Sequence, residues 1–365
     1  MEILPRTLGT RPRLACEVRA EGVVAARAVD ASAVLDAVAR VPLPDFVVIP
    51  HVQGADADGN VGGGVVVMGR PALVDAMRRA LDQVSLRGRD VTLVVPDAAA
   101  RVLLLDFDEL PAKAAEALPV VRFRLKKLLP FDADDAAVSY QVMASSRAMV
   151  QVIAVAMPRE VLAEYESLVR EAGFEPGAVL PSTLAALAGL SEGERPMLVV
   201  NASHGGVTTA IVKGGLVLLH RTVDLGSDAR GPVRGAEPAG EVAQDLAGDN
   251  SIAAIAARLA AAGTQMPVSS VASGAEFPIS EVAQAVSVAA AYFEDTLETA
   301  PAVVFSAGTL GAEALTGVLD QAQVGPVAVQ EIVGSQMLGD GATSAGTPGG
   351  VPLGWLAGVR GALAN

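Results

Sequence analysis

Residues 196–223, PMLVVNASHGGVTTAIVKGGLVLLHRTV, decide how the whole chain is read. An apolar strand ends in Asn201, a turn of small residues spans Ala202 to Gly206, and Thr208 and Thr209 begin the returning strand. Gly214 and Gly215 pivot a second hairpin, since adjacent glycines adopt the left-handed turn that joins twisted strands. Small side chains in the first turn let its backbone N–H groups converge on an anion such as phosphate. An ordinary β-turn between two core strands is the other reading of the same letters.

Just upstream, the acidic segment SEGERP, residues 191–196, marks a domain boundary. The chain begins with β-patterns at Arg13 to Arg19 and Gly22 to Val29 around a turn at Ala20 and Glu21, and Asp30 then caps a helix-like run from Ala31 to Arg40. Strand-like pieces at Phe46 to Pro50 and Gly64 to Gly69 flank a Gly/Asp-rich loop. Leu73, Met77 and Leu81 recur every four residues and predict a helix from Pro71 to Val84. Strands at Thr92 to Pro96 and Arg101 to Phe107 precede a helical segment, Glu109 to Leu129, broken or bent near Pro119. Strands follow at Ala136 to Ala144 and Met149 to Met157, then a helix from Pro158 to Ala172 stopped by Gly173. A short strand at Ala178 to Leu180 and a helix at Ser182 to Leu190 close the first half.

Beyond the hairpins, residues 224–249 have few apolar anchors and read as a mobile loop. Helices are predicted at Ser251 to Ala262, Ser280 to Glu298 and Ala312 to Ala322, with strands at Val303 to Ser306 and Val327 to Val333 and a terminal helix. A hairpin opens each half, near Leu14 and near Leu198, and strand-to-helix units close each. This alternation predicts an α/β architecture with mixed sheets covered by helices.

Composition narrows the function. The 365 residues are 51% hydrophobic and 19% charged, which excludes disorder over most of the length. A net charge of −14 excludes a bulk nucleic-acid binder. Cys16 is the only cysteine, so no internal disulfide and no cysteine zinc cluster can form. The N-terminus lacks the basic-then-apolar pattern of a secretory signal, and the longest uncharged stretch carries too many glycines and prolines for a spanning helix. A cytoplasmic protein is expected.

The order of elements around the quoted window resembles the PilM family of type IV pilus assembly proteins, in the actin-like ATPase superfamily. The resemblance rests on Pro96 ending a strand, Leu110 with Pro111 before a helix, Pro130 with Phe131 after it, Tyr140, Gln141 and Val142 in the next strand, and the turn from Ala172 to Pro176. It is strongest over residues 84–223, weaker over 282–315 and weakest over 1–80. It implies a two-lobed, ribonuclease H-like fold, with a first lobe over residues 1–190 carrying an inserted partner-binding subdomain at about 85–157, and a second lobe over 195–365. It also implies a scaffold beneath the inner membrane that binds the cytoplasmic N-terminal peptide of a PilN-like membrane protein, meets pilus motor or platform proteins, and reaches the membrane only through partners. The cytoplasmic domain of the secretion protein GspL is a relative.

Against that pattern the phosphate motifs are altered. Glu17 stands for the first-loop Asp and Arg19 for its Gly, Asn201 and Ser203 replace the second-loop Asp and Gly, and Ala307 replaces an adenosine-loop glycine. The degenerate nucleotide site implied by the resemblance comprises Glu17, Asn201, Ser203, Gly205, Gly206, Thr208 and Gly308. ATP with Mg²⁺ is the ligand such a site would take, and none is required. Arginine brings a long side chain where backbone should approach phosphate, and Asn supplies no charge for Mg²⁺. The expectation is weak or lost nucleotide binding and no hydrolysis.

One dense basic cluster remains: Arg122, Arg124, Lys126 and Lys127 in VRFRLKKLLPFD. Helical spacing turns Val121, Leu125 and Leu128 inward and Arg122 and Lys126 outward, with Lys127. The cluster is a candidate docking surface for an acidic or polar partner segment, or a solvated face balanced by Asp132, Asp134 and Asp135. His51, His204 and His220 lack metal-ligand spacing, no Ser-His-Asp constellation is legible, and no catalytic residue is assigned. The rival readings are an active actin-like ATPase or a sugar-kinase-like enzyme of the same fold, and an FtsA-like division protein. The last would carry an amphipathic C-terminal membrane helix, whereas LGWLAGVRGALAN has only Arg360 as a charge.

Overall fold

The computed structural model describes residues 12–30, 32–45, 47–52, 67–191, 193–225, 277–322, 324–340, 342 and 350–364. The expected loop at 224–249 beyond Leu225, the helix at 251–262 and half of the strand at 64–69 lie outside them.

Two five-stranded sheets share one topology. In the first, β1 (Leu14–Arg19) pairs antiparallel with β2 (Gly22–Ala28), β2 antiparallel with β3 (Leu35–Pro42), and β1 parallel with β4 (Asp90–Val95), which is followed by β8 (Glu175–Pro181). In the second, β9 (Met197–Ser203) pairs antiparallel with β10 (Gly206–Lys213), β10 antiparallel with β11 (Leu216–Asp224), and β9 parallel with β12 (Val304–Gly308), which is followed by β13 (Val329–Glu331). The repeat legible in the two halves of the sequence is thus a repeat of sheet order and strand direction. A separate three-stranded sheet is formed by β5 (Arg101–Phe107), β7 (Val150–Pro158) and β6 (Ala136–Ser145), in that order.

The run from Ala31 to Arg40, expected as a helix, contains β3 instead. Its alanines favour a helix locally, but Leu35, Ala37, Val38, Ala39 and Val41 are all buried in the sheet. Arg27 across the β2–β3 ladder holds Asp36 through both carboxylate oxygens. Tertiary pairing overrides local propensity here, and Pro42 and Pro44 bar any helical continuation. The strand expected at Phe46 to Pro50 shrinks, among the described residues, to a single bridge between Val48 and Met68.

Helices separate and flank the sheets. On the outer face of the first, α1 (Arg70–Val84) and α3 (Arg159–Glu171) cover Leu14, Cys16 and Val18. Leu73, Met77 and Leu81 of α1 are fully buried, each contributing about 1.5–3 kcal/mol. Between the sheets lie α4 (Ser182–Ala188) and α7 (Ala357–Leu363), in a core shared with Ala15, Val24, Val199 and Ala210. The outer face of the second sheet is covered by α5 (Ile279–Asp295) and α6 (Ala312–Gln321). The three-stranded sheet packs one face on α2 (Ala114–Leu125), through Val121 and Leu125, and sets Val102, Leu104 and Val155 of its other face against the central core. Pro119 lies inside α2, which continues through it.

The last helix, α7, reaches back across the chain. This helix packs on α4 and on β1, β2 and β4 of the first sheet. Glycine permits the approach: a side-chain carbon at Gly361 would fall 1.8 Å from the Ala185 carbonyl oxygen.

Candidate functional site

Period-two alternation sets the site. On β1, Leu14, Cys16 and Val18 face the outer core, so Ala15, Glu17 and Arg19 face the second lobe. On β9, Leu198, Val200 and Ala202 face α5 and α6, so Val199, Asn201 and Ser203 face the first lobe. The equivalent strands of the two sheets therefore aim Glu17, Arg19 and Asn201 into one interlobe space.

There they make a buried polar network. Arg19 Nη2 lies 2.6 Å from Glu17 Oε1, and Arg19 also donates to Asn201 Oδ1 at 3.3 Å and Ser182 Oγ at 3.3 Å. Ser182 Oγ donates to Glu17 Oε1 at 2.6 Å. Asn201 Nδ2 donates to Ser182 Oγ at 2.9 Å and Thr183 Oγ1 at 3.0 Å. Asp97, in the short turn at the end of β4, accepts the Thr183 backbone N–H at 3.0 Å and its hydroxyl at 2.5 Å. Burial pushes the Glu17 carboxyl up, opposed by the Arg19 guanidinium and the Ser182 hydrogen bond.

Two matching two-residue turns meet beside this network: Ala20–Glu21 joining β1 to β2, and His204–Gly205 joining β9 to β10. The expected turn at Ala202 to Gly206 is thus tighter, because β9 continues to Ser203. Glu21 Oε1 accepts the His204 backbone N–H at 2.6 Å, the Thr309 hydroxyl at 3.0 Å, and lies 2.9 Å from His204 Nδ1. Burial alone would raise the Glu21 carboxyl, but the hydrogen bonds from His204 outweigh it and hold it at about 2. A cleft of about 630 Å³ opens alongside, its apolar wall formed by Leu43, Val47, Val48 and Ile49.

Six of the seven residues of the degenerate site, Glu17, Asn201, Ser203, Gly205, Gly206 and Thr208, line this cleft. Gly308 abuts Asn201, at φ +88° and so close to β9 that a side-chain carbon would lie 2.2 Å from the Ala202 carbonyl oxygen. Ser203 Oγ donates to Gly206 within its own turn, and Thr208 pairs with Thr222 on β11. Asp97, Ser182, Thr183, Glu21 and Thr309 were not singled out from sequence. Asp97 alone carried a signal, as an acid at the carboxyl end of a parallel strand.

These residues do not fit a Mg²⁺-nucleotide. The carboxylate at the first-loop position is bound to Arg19, the one at Asp97 is taken by Thr183, and the His204 N–H is occupied by Glu21. Among the described residues no group of three or more His, Cys, Asp or Glu is placed to hold a metal.

The basic cluster is divided by the fold. Arg122 turns onto the protein, donating to the carbonyls of Ala133 and Ala136, and Lys126 pairs with Asp134. Arg124 and Lys127 are exposed beside Phe123, which is 66% exposed, and Lys127 lies over the Phe123 ring. Leu128, expected inward, is 44% exposed because α2 ends at Leu125 and the chain turns away.

Two sheets of identical topology, packed through a central helical layer with their hairpin turns meeting at a cleft, define an actin-like ATPase fold. The chain is similar over 96% of its length to 98% of a solved chain of a PilM–PilN type IV pilus biogenesis complex, at 15% identity and a TM-score of 0.66. The cytoplasmic domain of EpsL, an inner-membrane component of the type II secretion system of Vibrio cholerae, matches 58% of this chain and 70% of its own at 14% identity and a TM-score of 0.36. A Bacteroides thetaiotaomicron protein with an actin-like ATPase fold and unknown function matches 87% of this chain and 90% of its own at 8% identity and a TM-score of 0.41. No protein-family model and no curated protein sequence matches the chain. No described helix is long and apolar enough to cross a membrane.

Proposed function

We propose that this protein is a PilM-like scaffold of a type IV pilus or related secretion platform, peripheral to the inner membrane, that works by binding and not by turnover. The observation that carries the reading is the buried network itself. Where a nucleotide-dependent relative needs free donors and free carboxylates, Glu17, Arg19, Asn201 and Asp97 bind one another. The partner is the cytoplasmic peptide of a PilN-like membrane protein, recognised through the inserted unit of α2 and the three-stranded sheet. There Arg124 and Lys127, beside Val120, Phe123 and Leu128, join charge to exposed apolar surface, and the apolar part supplies most of the affinity.

One observation favours the alternative of an active ATPase or sugar-kinase-like enzyme: Asp97 stands in the cleft at a strand end, where a catalytic base would be useful. Calorimetric titration with Mg-ATP separates the two. The scaffold reading expects no saturation at millimolar ATP and no phosphate release, and a micromolar Kd would overturn it. Capture of the full-length chain by an immobilised PilN-like peptide tests the partner.

A further inference from the structure

We propose that Glu21 is a built-in anion: its carboxylate occupies the anion-receiving turn of the second lobe and holds the two lobes closed without nucleotide. Three donors converge on the single atom Glu21 Oε1: a backbone N–H from the β9–β10 turn, the ring nitrogen of the same His204, and the Thr309 hydroxyl from the loop after β12. A turn N–H, a ring N–H and a hydroxyl aimed at one point are the donor set of an oxyanion site. All three belong to the second lobe and the oxygen to the first, so the contact is a bridge between lobes. Because Nδ1 can donate only when it carries a proton, the bond fixes either that tautomer or the imidazolium.

While the bridge stands, the donors at this point of the cleft are taken by Glu21. The two turns face each other closely: a side-chain carbon added to Gly205 would come to 3.7 Å from the Ala20 methyl. Behind them the Arg19 guanidinium is paired with Glu17 at 2.6 Å. A carboxylate tethered in place competes at an effective concentration on the order of millimolar or more, so a free anion must displace it to enter. Removing the carboxylate should expose the same donors to solution anions. The proposal rests on the nucleotide-independent reading above but involves no partner, so a failed peptide capture leaves it standing.

The test compares the full chain with Glu21→Gln and Glu21→Ala, using inorganic phosphate as the probe. Native-state hydrogen exchange is read at the His204 amide and phosphate binding by calorimetry. The expected result is that the amide exchanges at least about tenfold faster in both variants, and that Glu21→Ala binds phosphate at least about tenfold more tightly than the parent chain. Phosphate should then restore protection of the His204 amide. Glu21→Gln keeps the side-chain shape and guards against loss of fold in the alanine variant. Unchanged exchange in both variants, or equal phosphate binding by the parent and Glu21→Ala, would overturn the proposal.

Discussion

Arg19 and Glu17 lie two residues apart on the same face of β1, their side chains 5% and 0% exposed, joined at 2.6 Å. Such a buried pair is costly to break from one side, because the remaining charge has neither water nor partner. Replacing Arg19 with Met should destabilise the fold by about 3–5 kcal/mol. Adding Glu17→Gln should recover much of that loss. Urea denaturation of the single and double variants measures both, and a single-variant loss under about 1 kcal/mol would show that the pair is not held as described.

Asn201→Asp reproduces the acid expected at the second phosphate loop, yet here it should weaken the protein. The change removes the donor that serves Ser182 and Thr183 and sets a carboxylate beside Asp97, whose Oδ2 is 3.4 Å from Asn201 Nδ2. A loss of about 2–4 kcal/mol is expected at pH 7, shrinking as the pH falls and one acid of the pair takes a proton. Thermal melts across pH 4 to 8 provide the check. A deficit independent of pH would assign the loss to the missing donor alone.

Glu21 gives the chain an acid-side signature. Its carboxyl is lowered from the usual 4.5 to about 2, so its stabilising contribution is fully present above about pH 4.5 and is lost as the pH falls toward 2. That lowering corresponds to about 3 kcal/mol. The stability difference between the parent chain and Glu21→Gln should therefore be largest above pH 5 and should close near pH 2.

Within the basic cluster, Arg122 and Arg124 should behave differently. Arg122→Ala should cost about 1–3 kcal/mol, because two carbonyls lose their donor. Arg124→Glu together with Lys127→Glu should leave the melting temperature unchanged and slow association with an acidic peptide, most strongly at low salt. If the charge-reversed chain associates at the parental rate, the face is only solvated surface.

Local pattern revealed the hairpins, since the pairs Ala20–Glu21 and Gly214–Gly215 interrupt clear alternation, and it placed α1 through Leu73, Met77 and Leu81. It misled at Ala31 to Arg40, where an alanine-rich run is drawn into a sheet by β2. The network was only half legible. Glu17 and Asn201 are legible through the family resemblance, which sets them at its two phosphate-loop positions. Asp97 and Thr183 are brought together across 86 residues of chain, and neither has a local pattern that predicts the other. Glu21 sat in full view as a turn residue, but nothing near it in sequence indicated His204 on the far side of the cleft.

The packing of α7 on α4 and β1 also constrains the order of events at the ribosome. Gly358 lies against Glu17, where a side-chain carbon would fall 2.4 Å from Glu17 Oε2. The part of the first sheet's inner face that α7 covers, although its strands emerge early, therefore lacks that cover until residues near 360 leave the exit tunnel. Part of the first lobe's apolar surface thus stays exposed long after its own strands are made, a state that invites contact between unfinished chains.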